Sequence, residues 1–326
     1  MPTLSKSLMG AKPWFYETVT SGPSVGGLDP AFDSVLESPA APGKNFTLRI
    51  RLRIYYRPID PAQASGATMR GFPMSLGILT DANGTPQLIR SWSAIDFRNF
   101  TNSARRQAAL WDSKFWLVPP NEVGWFDVGS GSSRSRHNIK CEFSLDVAPS
   151  AYGAHRIIDV VNLATANFFR SWDTTYSSAD GTTQKSFSAM DQTGATVNTQ
   201  QWTVTHEVGH ALGLDHIQVL RHHPDCGFAV MANDVNSNLW LFSIPVAARY
   251  QGRNNAGLCY GPGGSADAIN NIMGQGMRFS AEDAQPWLDR LGEHLNLSRG
   301  EDRLQWGFSL PKWTVAMSAT LPRVVH

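Results

Sequence analysis

The sequence predicts an α+β fold, on three observations. Strict two-residue alternation of apolar and polar side chains marks strands in the first half, most clearly at 48–54 and 139–147. A helical apolar pattern runs from Val204 to Leu212 and another follows Ser280. The strands and helices do not alternate regularly, and no internal repeat stands out.

Composition narrows the function classes. The 326 residues give a prior of about one to two domains. Lys+Arg number 28 and Asp+Glu 27, for a formal net charge of +1, so the positive field of a nucleic-acid or anionic-membrane binder is missing. Charged residues make up 17% and hydrophobic ones 42%, a balance that folds rather than stays disordered. Without a long uninterrupted apolar run, no membrane span is expected. The opening MPTLSKSLMGAKPWFYETVT lacks an apolar core after a basic start, so no ordinary secretory signal is expected. Localisation stays open, and export by a non-classical route is compatible with that start. Of three cysteines, Cys226 and Cys259 make the better disulfide pair, against the alternative of three reduced thiols. Cys141 sits on a strand pattern and is expected to be buried.

Taken in order, residues 1–44 are rich in Gly, Pro, Ser and Ala and read as a largely irregular extension. The alternation Leu48-Arg49-Ile50-Arg51-Leu52-Arg53-Ile54 is a strand with one buried face, its arginines on a solvated outer face. Residues 73–95 read as two strands around the turn Asp81-Ala82-Asn83-Gly84. Residues 102–112 look helical, and Lys114 to Val118 form a short strand stopped by Pro119-Pro120. Residues 130–137 are a polar loop, and the alternation from Ile139 to Val147 is a further strand. Residues 155–162 either continue the sheet or open a helix.

The chemistry concentrates in 199–217, TQQWTVTHEVGHALGLDHI. On a helix, His206 and His210 lie within about 40° of each other, while Val204, Val208, Ala211 and Leu212 cluster on the opposite side. One side meets the core and the other presents two imidazoles. Glu207 projects beside His210, placed to act on water without ligating. Gly213 accepts the left-handed backbone that ends a helix, which lets His216 return toward the two rings. Three neutral imidazoles leave one position open on a tetrahedral zinc, which is what a catalytic site requires. At this composition the spaced pattern arises by chance on the order of once in 70,000 chains.

HEVGHALGLDH resembles the zinc signature of the metzincin metallopeptidases, HExxHxxGxxH. The resemblance implies a zinc-dependent endopeptidase with one catalytic Zn²⁺ on His206, His210 and His216, Glu207 as general base, and a protein or peptide substrate. It implies a Met-turn beneath the ligands, for which Met273 in Asn271-Ile272-Met273-Gly274-Gln275-Gly276 is preferred over Met231 and Met277. Ser280 with Asp283 is expected to cap the helix that follows, with Trp287, Leu288 and Leu291 on one side. It also implies an upper catalytic sub-domain over 45–216 with a twisted mixed sheet, and an irregular to helical lower sub-domain over 217–326. Ile217 points to no subfamily, and Gln275 stands where some members place a tyrosine.

Other candidates are weaker. His222 and His223 follow the motif. Asp225, Asn233, Asp234 and Asn236 group oxygen ligands suited to calcium, at no EF-hand spacing. Tyr250 and Tyr260 are phenols available to an oxyanion. An inhibitory segment in 1–44 would have Asp29 or Asp33, and no cysteine, to cap the metal. Further readings stay open: a zinc hydrolase cutting cell-wall peptide cross-links, a binding or interaction module with a degenerate site, or an exported effector or toxin carrying this protease domain.

Overall fold

The computed structural model describes residues 14–17, 31–37, 45–62, 74–75, 77–80, 85–118, 127–128, 135–136, 138–165, 168–169, 171, 174–191, 193–214, 228–229, 244–245, 266–299 and 313–317. Two strands come from within 1–44: β1 (Trp14–Glu17) and β2 (Asp33–Glu37), paired antiparallel. These strands lie within the stretch read from sequence as a largely irregular extension, most of which is outside the described residues. The sequence DSVLE shows no clean alternation because Asp33 and Ser34 are both buried, satisfied by groups far along the chain.

The long central strand β3 (Phe46–Pro58) buries Phe46, Leu48, Ile50, Leu52, Ile54 and Tyr56 on one face. A hairpin region follows: β4 (Met74–Ser75), β5 (Ile78–Thr80) and β6 (Pro86–Arg90), with Ile78 opposite Leu88. Helix α1 (Ala94–Ala108) then runs into a 3-10 turn, Ala109–Trp111. It starts eight residues before the predicted 102. Its first turn is exposed and carries no apolar stripe, so only the cap announces it: Ser93 Oγ accepts from the Asp96 amide at 3.0 Å.

Strand β7 (Phe115–Val118) is as expected. The short pair β8 (Asp127–Val128) and β9 (Ser135–Arg136) places two strand residues inside the predicted polar loop. Strand β10 (Ile139–Val147) confirms the alternation, and β11 (Arg156–Leu163) resolves the ambiguous stretch as sheet. Then come β12 (Thr175–Ser177), the hairpin β13 (Lys185–Met190) and β14 (Thr196–Gln201), and helix α2 (Thr203–Ala211). After β15 (Phe228–Ala229) and β16 (Ile244–Pro245), the described chain ends with α3 (Ala266–Asn270), α4 (Gln285–Arg299) and β17 (Thr314–Met317).

The main sheet is mixed. β3 pairs parallel with β10 along one side. On its other side it pairs antiparallel with β2 and then parallel with β11. The edge runs β10–β7–β17, both antiparallel, so β17 from the 217–326 portion joins the sheet built by 45–216. α4 joins the same core: Trp287 and Leu291 are fully buried among Leu48, Phe115 and Trp111. A mixed sheet with a few helices is the α+β class expected. Among the described residues no helix is long and apolar enough to cross a membrane.

The arginine row lies on the outer face, as the alternation requires, and carboxylates meet it. Arg49 reaches Glu37 at 2.7 Å and Glu142 at 2.9 Å, Arg51 pairs with Asp146, and Arg53 reaches Asp33 at 2.7 Å. The exposed pairs among them, such as Arg51–Asp146, stabilise little, whereas Asp33 is buried. Asp33, raised above as a metal cap, is also held by His155 Nε2 at 3.0 Å. That pairing commits it to the sheet's outer face.

Candidate metal centre

Helix α2 begins without a side-chain cap of its own at Trp202. One of its orphan amides finds a partner on α1, and α1 with the 3-10 turn after it ties down the first turn. Gln107 Oε1 accepts from the Val204 amide at 3.3 Å, and the Gln107 carbonyl accepts from Thr205 Oγ1 at 2.9 Å. Trp111 Nε1 donates to the Thr205 carbonyl at 2.7 Å. Val204, Val208, Ala211 and Leu212 are buried, as predicted.

The other side of α2 carries the imidazoles. His206 is 8% exposed, and its ring lies edge-on to that of His210, centroids 4.7 Å apart. His206 Nδ1 is 2.7 Å from the Ile272 carbonyl and His210 Nδ1 is 2.8 Å from the Leu214 carbonyl. A carbonyl only accepts, so each Nδ1 carries the proton. Each Nε2 therefore presents a lone pair, and the two Nε2 atoms stand 3.1 Å apart.

Burial dominates the protonation of both rings. It lowers His206 to about 4, against a smaller upward pull from the Ile272 carbonyl. It lowers His210 to about 3, helped by the neighbouring His206. Two neutral rings thus face each other through unprotonated nitrogens, which a shared cation turns from repulsive to favourable. The donor set, two neutral imidazole nitrogens oriented by backbone carbonyls, could hold part of the coordination shell of a divalent transition metal.

In the metal-free protein these shifts set a pH dependence. Below the ordinary imidazole pKa of about 6.5, the unfolded chain binds protons that the folded chain refuses. Stability is therefore lost as pH falls from about 6.5 through the folded values, and the two rings add nothing to the slope above neutrality. Urea midpoints should fall between pH 7 and pH 5, less steeply in His206→Gln. Parallel curves for the two proteins would contradict this.

Gly213 closes the helix at φ +91, with its amide donating to His210 O at 2.9 Å and the Leu214 amide to Gly209 O at 3.0 Å. This is the predicted left-handed stop, and it swings the Leu214 carbonyl back onto His210. His216 lies outside the described residues, as do Met231, His222, His223, Asp225, Asn233, Asp234, Asn236, Tyr250, Tyr260, Cys226 and Cys259. Glu207 is half-buried on the helix between the two histidines. Cys141 is fully buried on the inner face of β10, and burial pushes its thiol well up.

Residues 271–277 form a tight turn under α2. Gly274 and Gly276 amides both donate to Asn271 O at 3.0 Å, and the Met273 amide to Asn271 Oδ1 at 2.6 Å. Asn271 Nδ2 in turn reaches Asp283 Oδ2 at 2.8 Å, tying the turn to the Ser280–Asp283 cap ahead of α4. Met273 is 1% exposed. A Cβ on Gly209 would lie 2.1 Å from Met273 Sδ and 3.0 Å from Trp111, so the helix rests on the methionine through a glycine. Gly209→Ala would gain about 1 kcal/mol in helix propensity against about 1–3 kcal/mol of overpacking. Net destabilisation is expected, and Met273→Ala in the same chain should relieve part of it in a thermal melt. Additive losses would count against this packing.

Residues 153–217 match the model of the metallopeptidase family M12B, reprolysin-like. The match runs from just before β11 through α2 to one residue past His216. It supports a metallopeptidase, a hydrolase with a protein substrate. No curated protein and no solved structure matches the chain.

The structure thus brings His206, His210 and Met273 together and sets Gly213 at the helix end. Sequence reasoning missed Gln107, Trp111, Gln201, Gly209 and Asn271. Gly209 carried a local signal, a glycine inside a helical pattern, and so did Asn271, whose side chain accepts from the amide two residues on. The others act across the fold and leave no trace in spacing.

Proposed function

We propose that the chain is a zinc-dependent endopeptidase. His206, His210 and His216 hold one Zn²⁺ as neutral ligands, and Glu207 is the general base. The observation that carries this is the pair of Nε2 lone pairs 3.1 Å apart, each ring fixed by a carbonyl on its far nitrogen. Zinc bound there supplies a Lewis acid for the scissile carbonyl and brings the pKa of water toward 7.

The rest falls to the chain's own groups. The Glu207 carboxylate takes a proton from the attacking water and returns it to the leaving amine. The Ile272 and Leu214 carbonyls keep the Nδ1 protons in place, so neither ring turns its Nε2 away. Met273 supports α2 from below and takes no part in proton transfer.

A chelator should abolish cleavage of a denatured protein or peptide library, and one equivalent of Zn²⁺ should restore it. His210→Ala should bind less than one zinc per chain and show no cleavage. Cleavage that survives complete removal of metal would reject the proposal.

A further inference from the structure

Gln201 is the last residue of β14, one position before the helix cap, and it is 6% exposed. Its Nε2 lies 3.1 Å from the Ile272 carbonyl, 3.1 Å from that of Gly274 and 3.4 Å from that of Gly276. Three surrounding acceptors identify this end of the amide as the NH₂. The same nitrogen is 3.2 Å from His206 Nδ1. Since Nδ1–H already donates to Ile272 O at 2.7 Å, this approach is a contact between two donors that share one acceptor. The Ile272 oxygen has two lone pairs; one receives the imidazole and the other receives Gln201.

We propose that Gln201 is a positioning residue for the ligand His206, holding the Ile272 carbonyl where it fixes the Nδ1–H tautomer and keeps the Nε2 lone pair facing His210. It acts through the carbonyl and touches neither substrate nor metal. The assignment rests on the zinc reading above and extends it to a residue that links the β13–β14 hairpin, the turn at 272–276 and the metal ligand. A side chain that only stapled the turn would affect stability without selecting a tautomer. Partners that orient a metal's imidazole are worth roughly 10–100-fold in affinity.

The test uses the full chain, with Zn²⁺ itself as probe. Imidazole ¹H–¹⁵N correlation spectra of the metal-free protein should show His206 with its proton on Nδ1. In Q201M the Nε2–H form should appear, and Zn²⁺ affinity, read by competition with a chromophoric chelator, should fall roughly 10–100-fold. A Q201M that keeps the parent tautomer and binds Zn²⁺ within about twofold of the parent overturns this assignment alone. If Q201M does not fold, the parent spectrum decides, and a His206 protonated on Nε2 overturns it. A parent with the Nδ1–H form that takes up no Zn²⁺ takes down the metal reading and this assignment with it.

Discussion

Glu207→Gln is expected to fold and to bind one Zn²⁺ per chain, yet to lose roughly 10²–10⁴-fold in kcat, the range that a positioned general base contributes. The substitution keeps the volume of a half-buried side chain on α2 and removes its charge and its ability to take a proton. The loss should sit in kcat with KM little changed, because proton transfer belongs to the transition state and not to substrate binding. Steady-state kinetics on a cleavable peptide, with metal content measured on the same sample, checks both halves. A rate within a few-fold of the parent would move the proton-accepting role to another group. Loss of zinc with loss of rate would instead make Glu207 a ligand.

Trp111→Ala is expected to have the largest effect on stability. The indole is fully buried, stacked on Trp287 at 6.4 Å between ring centroids and edge-on to Phe279 at 4.9 Å. Removing a buried tryptophan costs about 3–5 kcal/mol, and the Thr205 carbonyl loses its donor, roughly another 1 kcal/mol. Set against a native stability of about 5–15 kcal/mol, this brings the protein near the edge of folding. Because Thr205 precedes His206, zinc affinity should fall with it. Trp111→Phe, which keeps a ring but not the donor, should recover most of the stability. Urea unfolding of the three proteins checks the order, and an alanine variant within about 1 kcal/mol of the parent would refute the account.

How much of this was legible in the sequence depends on how locally each element is determined. β3 and β10 bury one face each, so alternation reveals them. β11 is buried along nearly its whole length, which erases the alternation and left strand and helix undecided. β2 hides for the opposite reason: Asp33 and Ser34 are buried because Arg53, His155 and His294 meet them, the last at 2.9 Å from Ser34 Oγ. At the site, the imidazoles and the helix end at Gly213 could be read from residue type and spacing, and the family resemblance pointed to the turn around Met273. The groups that fix the tautomer of the imidazoles and seat their helix could not. The Ile272 carbonyl is a backbone atom 66 residues from His206, and Gln107 reaches α2 from 97 residues away.

The anchoring of His206 by the Ile272 carbonyl has a consequence for chain synthesis. A nascent polypeptide that has emerged only as far as Ile217 already holds all three histidines and the glutamate. It has neither the oxygen that selects the imidazole's proton nor the methionine on which the helix rests. The motif is complete in letters before the groups that orient and support its helix have been made, so on the proposed reading hydrolysis would wait for residues 271–277 to arrive and dock.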